Sequence, residues 1–348
     1  MTEVNRRTVL AGTATALAAG TGTAFAQGAP APTAGAQGTP PAPGQGAAAA
    51  VSTAPASRPS SQVPSVYRYK VGDVVVTAIS DGMRVMPLSD TLVRNQPKEA
   101  VNAALKSAFL PENQIPISFT VLLLNIGGRQ VLVDTGNGGK PGPVGLVNGS
   151  LTDLGIDPAA IDQVVISHFH GDHINGLLTA DGAPAFPKAQ LMVPEREWAF
   201  WMDEGQMSRA PEGLKGAFAN VRRVFKPFEG KVERYGWDKE LAPGLVAVGT
   251  PGHTPGHTSY TLASGSDGLF IQSDITNLPA LFVRNPGWHA MFDMDPAAAE
   301  AVRRKTFDQL SADRMLVAGY HFPFPGAAYL EKDGDGYRYV PTYWRPVL

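Results

Sequence analysis

The sequence predicts a layered α/β domain on three observations. Apolar β-branched runs alternate with amphipathic helical segments, glycine-containing turns separate them, and a helix-strand-histidine succession occurs twice. Tyr67 to Ile79 has strand-like content on both sides of Val71-Gly72-Asp73, which reads as a hairpin turn. Thr120–Ile126 is expected to pair with Gln130–Val133 across Gly127-Gly128-Arg129, and this second hairpin runs out at Asp134-Thr135-Gly136. Between the hairpins, Val101, Ala104, Leu105 and Ala108 recur at helical spacing, so Pro97 to Phe109 reads as an amphipathic helix. Asp157-Pro158 combines a capping side chain with proline at the first helical position, so a short helix is expected there. The buried strand Val164-Val165-Ile166-Ser167 follows and delivers His168. The same Asp-Pro start at Asp295-Pro296 opens a helix to about Leu310, followed by a strand from Met315 to Ala318 and then His321.

The chain has 348 residues, more than a typical single domain, so a second domain or a long unstructured portion has to be considered. Asn5-Arg6-Arg7-Thr8-Val9-Leu10 precedes the uncharged stretch Ala11 to Phe25, closed by Ala24-Phe25-Ala26, which is the shape of a cleavable export signal over residues 1–26. The paired arginines and weakly hydrophobic core resemble a twin-arginine signal, and they point to a periplasmic or secreted protein. The stretch is too short and too rich in Gly and Thr for a membrane anchor, so no stable span is expected after cleavage. Residues 27–65 are almost all Ala, Pro, Gly, Gln, Ser and Thr, with Arg58 the only charge. Such a segment has too little apolar surface to offset its ordering entropy and reads as a disordered tether. Residues 66–348 then form the folded domain.

The absence of cysteine excludes disulfides, thiolate metal sites and thiol nucleophiles. The formal net charge of −2 becomes −3 without Glu3, Arg6 and Arg7, and no basic run offers a nucleic-acid partner a surface.

Three of the seven histidines fall within Ser167-His168-Phe169-His170-Gly171-Asp172-His173, directly after an apolar strand. In extended backbone His168 and His170 face the same side and can share one ion, and a bend at Gly171 lets Asp172 and His173 face a second. A lone histidine is ordinarily a satisfied core or surface residue; four candidate ligands in six positions are not. Imidazole and carboxylate ligation suits zinc, and residue types alone do not separate zinc from manganese, cobalt or iron.

With this motif and the preceding Leu132-Val133-Asp134-Thr135-Gly136, the sequence resembles the metallo-β-lactamase superfamily. From about Tyr67 to Tyr343 it is most similar to the methyl parathion hydrolase-like branch. The closer match is carried by Val131 to Gly136, the loop containing His257, the segment from Asp295 to Phe307, and His321-Phe322-Pro323-Phe324-Pro325-Gly326. The resemblance implies an αββα sandwich with two divalent ions at one edge. It implies that His257, at the end of Thr250-Pro251-Gly252-His253-Thr254-Pro255-Gly256-His257-Thr258, completes the first metal site, with His253 behind it. Asp274 stands where the family has a metal-bridging aspartate, with Ser273 in place of the usual glycine, and His321 serves the second metal. The implied metal ligands are therefore His168, His170, Asp172, His173, His257, Asp274 and His321. Asp172 and Asp274 are the implied catalytic carboxylates, working with a metal-bridging hydroxide that is nucleophilic at neutral pH. Asp134 is expected to orient a ligand histidine. Asp81, in Ser80-Asp81-Gly82, reads equally as a turn residue, and His289 has no assigned role.

Trp198, Phe200, Trp201, Phe218, Phe225 and Phe228 lie between the motifs and read either as pocket or as core. The resemblance aligns Trp201 with an aromatic cluster that lines the pocket of methyl parathion hydrolases, whereas Pro141 and Ala217 replace two others. Trp201 and Phe218 are therefore expected to line the substrate pocket. The incomplete cluster favours a differently shaped acyl substrate, an acyl-homoserine lactone or aryl ester, over an organophosphate triester, which remains the alternative. Ser273 is expected to narrow the space at the metals. Two readings from other classes are a single-iron persulfide dioxygenase, opposed by Asp274 and His321, and a non-catalytic binding protein. The net charge and expected export oppose a nuclease. The natural substrate and the oligomeric state, a homodimer being one option, are not legible.

Overall fold

The computed structural model describes residues 65–139 and 142–348. The expected signal at 1–26, the tether apart from Ser65, and Pro141 lie outside the described residues.

Seven strands form a first sheet in sequence order: β1 (Val66–Val71), β2 (Val74–Pro87), β3 (Gln114–Ile126), β4 (Arg129–Val133), β5 (Gln163–Val165), β6 (Gln190–Pro194) and β7 (Val232–Tyr235). Seven more form a second: β8 (Glu240–Ala242), β9 (Leu245–Gly249), β10 (Thr258–Ser264), β11 (Asp267–Ser273), β12 (Leu316–Gly319), β13 (Ala327–Asp333) and β14 (Gly336–Pro341). The first sheet is antiparallel from β1 to β4 and parallel from β4 to β7. The second is antiparallel except for β11 against β12. Both predicted hairpins are present, with Val71 opposite Val74 and Ile126 opposite Arg129.

Alternation along β3 explains the layering. Leu122 and Leu124 pack into a core shared with Leu245, Tyr260, Leu262 and Ile271 of the second sheet. Val121 and Leu123 point the other way, into a core shared with the helices α1 (Lys98–Ser107), α2 (Val147–Asp153), α4 (Glu195–Trp201), α6 (Glu212–Phe225) and α7 (Pro279–Phe282). The remaining helices are α3 (Gly171–Ile174), α5 (Glu204–Arg209) and α8 (Pro296–Ala312). Phe307 and Leu310 of α8 cover the outer face of the second sheet beside Phe270 and Val317. The result is the expected αββα sandwich, two mixed sheets flanked by helices.

Local signals behave as their chemistry requires, with one exception. Asp295 caps α8 through the Ala298 N–H at 3.0 Å, an interaction that typically stabilises by about 1 kcal/mol. Asp157 caps in the same way at Ala159, 2.9 Å, but only a single 3-10 turn, Pro158–Ala160, follows it. Ile161 is already extended there, because its fully buried side chain enters the sheet core just ahead of β5. The expected short helix is thus one turn. None of the described helices is long and apolar enough to cross a membrane.

Candidate metal centre

The ends of β4, β5, β9, β11 and β12 meet at one edge of the sandwich, and the segments that follow them carry the clustered histidines and aspartates. The bend after His170 is the start of α3, whose first residue, Gly171, is not among the left-handed glycines; it sets Asp172 and His173 on a helical turn. Three groups of side chains have ligand atoms close enough to share an ion: His168, His170 and His253; His168, His173 and Asp274; and Asp172, His173 and His321.

Asp274 lies between the outer two groups. One of its oxygens is 3.0 Å from His321 Nε2 and 3.3 Å from His253 Nε2, and the other is 3.4 Å from His173 Nε2. His321 Nε2 is 3.4 Å from Asp172, and His170 Nδ1 is 2.9 Å from His253 Nε2. His173 Nε2 and Asp274 Oδ1 are buried and have no hydrogen-bond partner among the described residues. Two facing buried polar atoms left without a hydrogen bond carry a desolvation penalty that a cation between them would remove. The donor set, imidazole and carboxylate, therefore fits one or more divalent metal ions.

The geometry reverses one expectation. His253, not His257, joins His168 and His170. His257 is fully buried, and both its ring nitrogens are engaged: Nδ1 lies 3.0 Å from the Thr250 carbonyl, and Nε2 accepts the Asp274 backbone N–H at 3.0 Å. With its acceptor nitrogen used in this way the ring is a neutral strut beneath Asp274. The cause is topology, since His257 immediately precedes β10 and is drawn into the sandwich, whereas His253 sits out in the loop. Close approach keeps the loop there: a Cβ on Gly252 would stand 2.4 Å from the Ala299 N, and one on Gly256 2.3 Å from the Glu197 N.

The outward nitrogens of the site histidines are held from behind. Asp134 accepts from the Ser167 N–H and hydroxyl, each at 2.8 Å, and stands 2.8 Å from His173 Nδ1, the orienting role expected of it. It holds a left-handed φ of 62°, a strained conformation for a residue other than glycine. Asp293 stands 2.9 Å from His253 Nδ1 and is itself paired with the buried Arg303 at 3.1 Å. His321 Nδ1 donates to the Ser118 carbonyl at 2.9 Å. Asp293, Arg303 and the buried acid Glu197 are absent from the sequence reading. Arg303 had a signal: it lies on the α8 face defined by Ala299 and Phe307, where an apolar residue belongs.

Burial, with His173 and His170 adding to it, keeps His168 well below the usual imidazole range; burial and His253 take His170 and His257 to about 3. Burial opposes protonation of His253 too, yet its bonds to Asp274 and Asp293 carry it up to about 9. His173 and His321 are raised against the same burial penalty, chiefly by Asp274. Burial works against the charge on Asp274, but His321 and His173 hold it well below the usual carboxylate range. The negative field that favours these protons in the metal-free protein is the field that would attract cations.

A cleft of about 400 Å³ opens over the site, lined by His170, Asp172, His253, Asp274 and His321 together with Arg84, Met86, Ile117, Phe119 and Phe292. Arg84 faces Ile117 across β2 and β3, so one face of this hairpin arm roofs the cleft. The expected pocket aromatics are elsewhere. Trp201 and Phe218 are fully buried and packed on each other, ring centroids 4.7 Å apart, and Ala217 packs against the same core. Trp201 reaches the site only by standing edge-on behind His170, at 6.4 Å. Ser273 does not narrow the cleft either; it faces a small buried cavity with Thr120, Asp134 and Tyr320. Asp81 occupies a bulge in β2, where it accepts from the Asn137 and Val147 N–H groups at 2.7 and 3.1 Å. His289 pairs with Glu300 at 2.7 Å, off the cleft.

An αββα sandwich with histidine and aspartate clusters at the strand ends defines a metallo-hydrolase class of protein. The chain belongs to the metallo-beta-lactamase superfamily, whose family model matches residues 117–321, more than half its length. It is 32% identical over 126 residues to the N-acyl homoserine lactonase AttM of Azorhizobium caulinodans, covering 34% of this chain and 42% of that one. The chain spans about half the length, or less, of the curated relatives first matched. Among solved structures it is similar to the hydrolase AbOPH of the beta lactamase superfamily, with TM-score 0.77 and 28% identity over 82% of this chain and 100% of that one. It also shares its fold with AidC, a dizinc quorum-quenching lactonase, with TM-score 0.76 and 24% identity over 81% of this chain and 99% of that one.

Proposed function

We propose that this protein hydrolyses the ester bond of a lactone or aryl ester, an acyl-homoserine lactone being the leading substrate, at two divalent metal ions. The observation that carries the reading is the position of Asp274 between the histidine cluster His168, His170, His253 and the cluster Asp172, His173, His321. Divalent ions bound there would activate water and polarise the acyl oxygen under attack. The chain's own residues position and shield. Asp134 and Asp293 orient His173 and His253, while Phe119, Ile117 and Phe292 offer apolar walls that limit water around the acyl group. Asp172, partly exposed beside His321, is placed to accept a proton from the cleft.

Zinc is the metal of first choice for this donor set, with manganese, cobalt and iron as alternatives. The preference for lactones rests on the lactonase relatives, since Trp201 is buried away from the cleft and does not discriminate there against phosphotriesters. A methyl parathion hydrolase-like phosphotriesterase is the runner-up. The Asp172, His173 and His321 cluster favours two ions over the single-iron dioxygenase reading. A hydrolysis panel on metal-loaded protein, comparing acyl-homoserine lactones, aryl esters, phosphotriesters and β-lactams, tests the assignment. Faster turnover of a phosphotriester than of any lactone or ester overturns the substrate ranking.

We also propose that residues 1–26 direct export to the periplasm or medium through Arg6-Arg7. Replacing both with lysine should leave precursor in the cytoplasm; normal processing of that variant would refute the twin-arginine route.

A further inference from the structure

Glu197 is a buried acid that the chemistry above does not use. It lies in α4, outside the cleft, with no exposed surface. One carboxylate oxygen accepts the Phe169 N–H at 3.0 Å and the Trp201 indole N–H at 2.8 Å. The other accepts the Gly256 N–H at 2.7 Å. Phe169 is the residue between His168 and His170, and Gly256 lies three residues beyond His253 in the loop that presents it. A single side chain thus fastens the two chain segments, 83 residues apart at His170 and His253, whose ring nitrogens approach to 2.9 Å.

Glutamate suits this place for a physical reason. Three N–H donors converge on two oxygens, and only an ionised carboxylate is acceptor on both sides. Charge-assisted bonds of this kind are stronger than neutral ones, and in the core they hold geometry tightly. The other cluster is supported differently, with His321 on the Ser118 carbonyl and His173 on Asp134.

We propose that Glu197 is a positioning residue that sets the separation of His168 and His170 from His253, and so the metal affinity of the three-histidine cluster. This rests on the two-metal reading above. Glu197→Gln keeps the size but turns one acceptor into an NH₂ group, which must face either Gly256 or the Phe169 and Trp201 donors. The loops should then separate slightly without loss of the core.

The test is a titration of the metal-free protein with Co2+, following the visible absorption of the bound ion, with Zn2+ competition for affinity. The expected result is that Glu197→Gln weakens one of two ions by about 10–100-fold, the scale for removing a group that orients metal ligands, and alters its absorption. The ion affected should be the one lost in His253→Ala. Glu197→Asp, which keeps the charge but retracts it by one methylene, should weaken the same ion and gives the same reading if the glutamine variant does not fold. Phe307→Leu, in the outer core under α8, serves as a control for lost stability alone and should leave both affinities unchanged. Equal weakening of both ions, or affinities that follow melting temperature as in the control, would overturn the proposal. A wild-type protein that binds fewer than two ions would instead defeat the two-metal reading, while a weaker ion in Glu197→Gln would still support the clamp.

Discussion

His253 Nδ1 lies 2.9 Å from Asp293 Oδ1, repeating on the second sheet's side of the site the 2.8 Å contact between His173 and Asp134 on the first. A histidine whose outer nitrogen is held by a carboxylate presents its inner nitrogen in a fixed direction, and His257 has no inner nitrogen left to present. His253→Ala should therefore remove one metal ion per chain. His257→Ala should retain two ions, bound more weakly, and should lose about 1–3 kcal/mol of stability, because the Asp274 N–H is left buried without an acceptor. Elemental analysis with thermal melts separates the outcomes; loss of an ion in His257→Ala alone would restore the opposite assignment.

Asp274 touches both clusters, so its removal should be felt by both. Gently purified protein is expected to carry about two divalent ions per chain, lost together in Asp274→Ala, whereas His321→Ala should mainly empty the cluster with Asp172 and His173. Chelators should abolish hydrolysis, and serine-directed acylating reagents should leave it intact. Equal occupancy loss in the two variants would contradict the sharing of Asp274.

Trp201 and Phe292 make opposite predictions for binding and folding. Trp201 has no exposed surface and donates to Glu197, so Trp201→Ala should destabilise by about 3–5 kcal/mol, with no selective effect on bulky substrates. Phe292 is half-buried in the cleft wall, and Phe292→Ala should weaken binding of bulky apolar esters by about 1–3 kcal/mol while small esters are little affected. Steady-state kinetics on a series of acyl chain lengths, beside denaturation curves, would show the reverse pattern if Trp201 lined the pocket.

Ser273 holds φ at 49° with its hydroxyl buried and without a partner among the described residues. Left-handed backbone costs a residue with a Cβ roughly 1–2 kcal/mol, and an unpaired buried hydroxyl adds to that. Ser273→Gly relieves both, against the greater chain entropy of glycine in the unfolded state. The net expectation is a gain of about 0.5–1 kcal/mol at urea midpoint, and a loss of stability would show that the hydroxyl has a bonding role.

Much of the molecule was legible because periodicity and local chemistry report on local structure. The hairpins at Gly72 and Gly127-Gly128, α1, the Asp295 cap and the strand leading to His168 all follow from the spacing of apolar residues and from the turn and cap residues that bound each element. So does the cluster from His168 to His173, whose members are neighbours in the chain. The short helix after Asp157 did not form, since a cap fixes where a helix can begin, and the pull of Ile161 into the core decided where it stopped.

What only the tertiary structure decided is which of two locally equivalent groups faces the site. Pro251-Gly252-His253-Thr254 and Pro255-Gly256-His257-Thr258 are identical tetrapeptides, and no local signal separates their histidines. The difference comes from packing: β10 draws His257 beneath Asp274, while Asp293, held by Arg303 from α8, aims His253 into the cluster. Aromatic residues pose the same problem. Trp201 and Phe292 are both large aromatic side chains between motifs, and one is core and the other cleft because burial depends on what α4, α6 and the β2–β3 arm bring against each ring. Long-range contacts between segments far apart in the chain set those choices, and residue type and spacing carry no record of them.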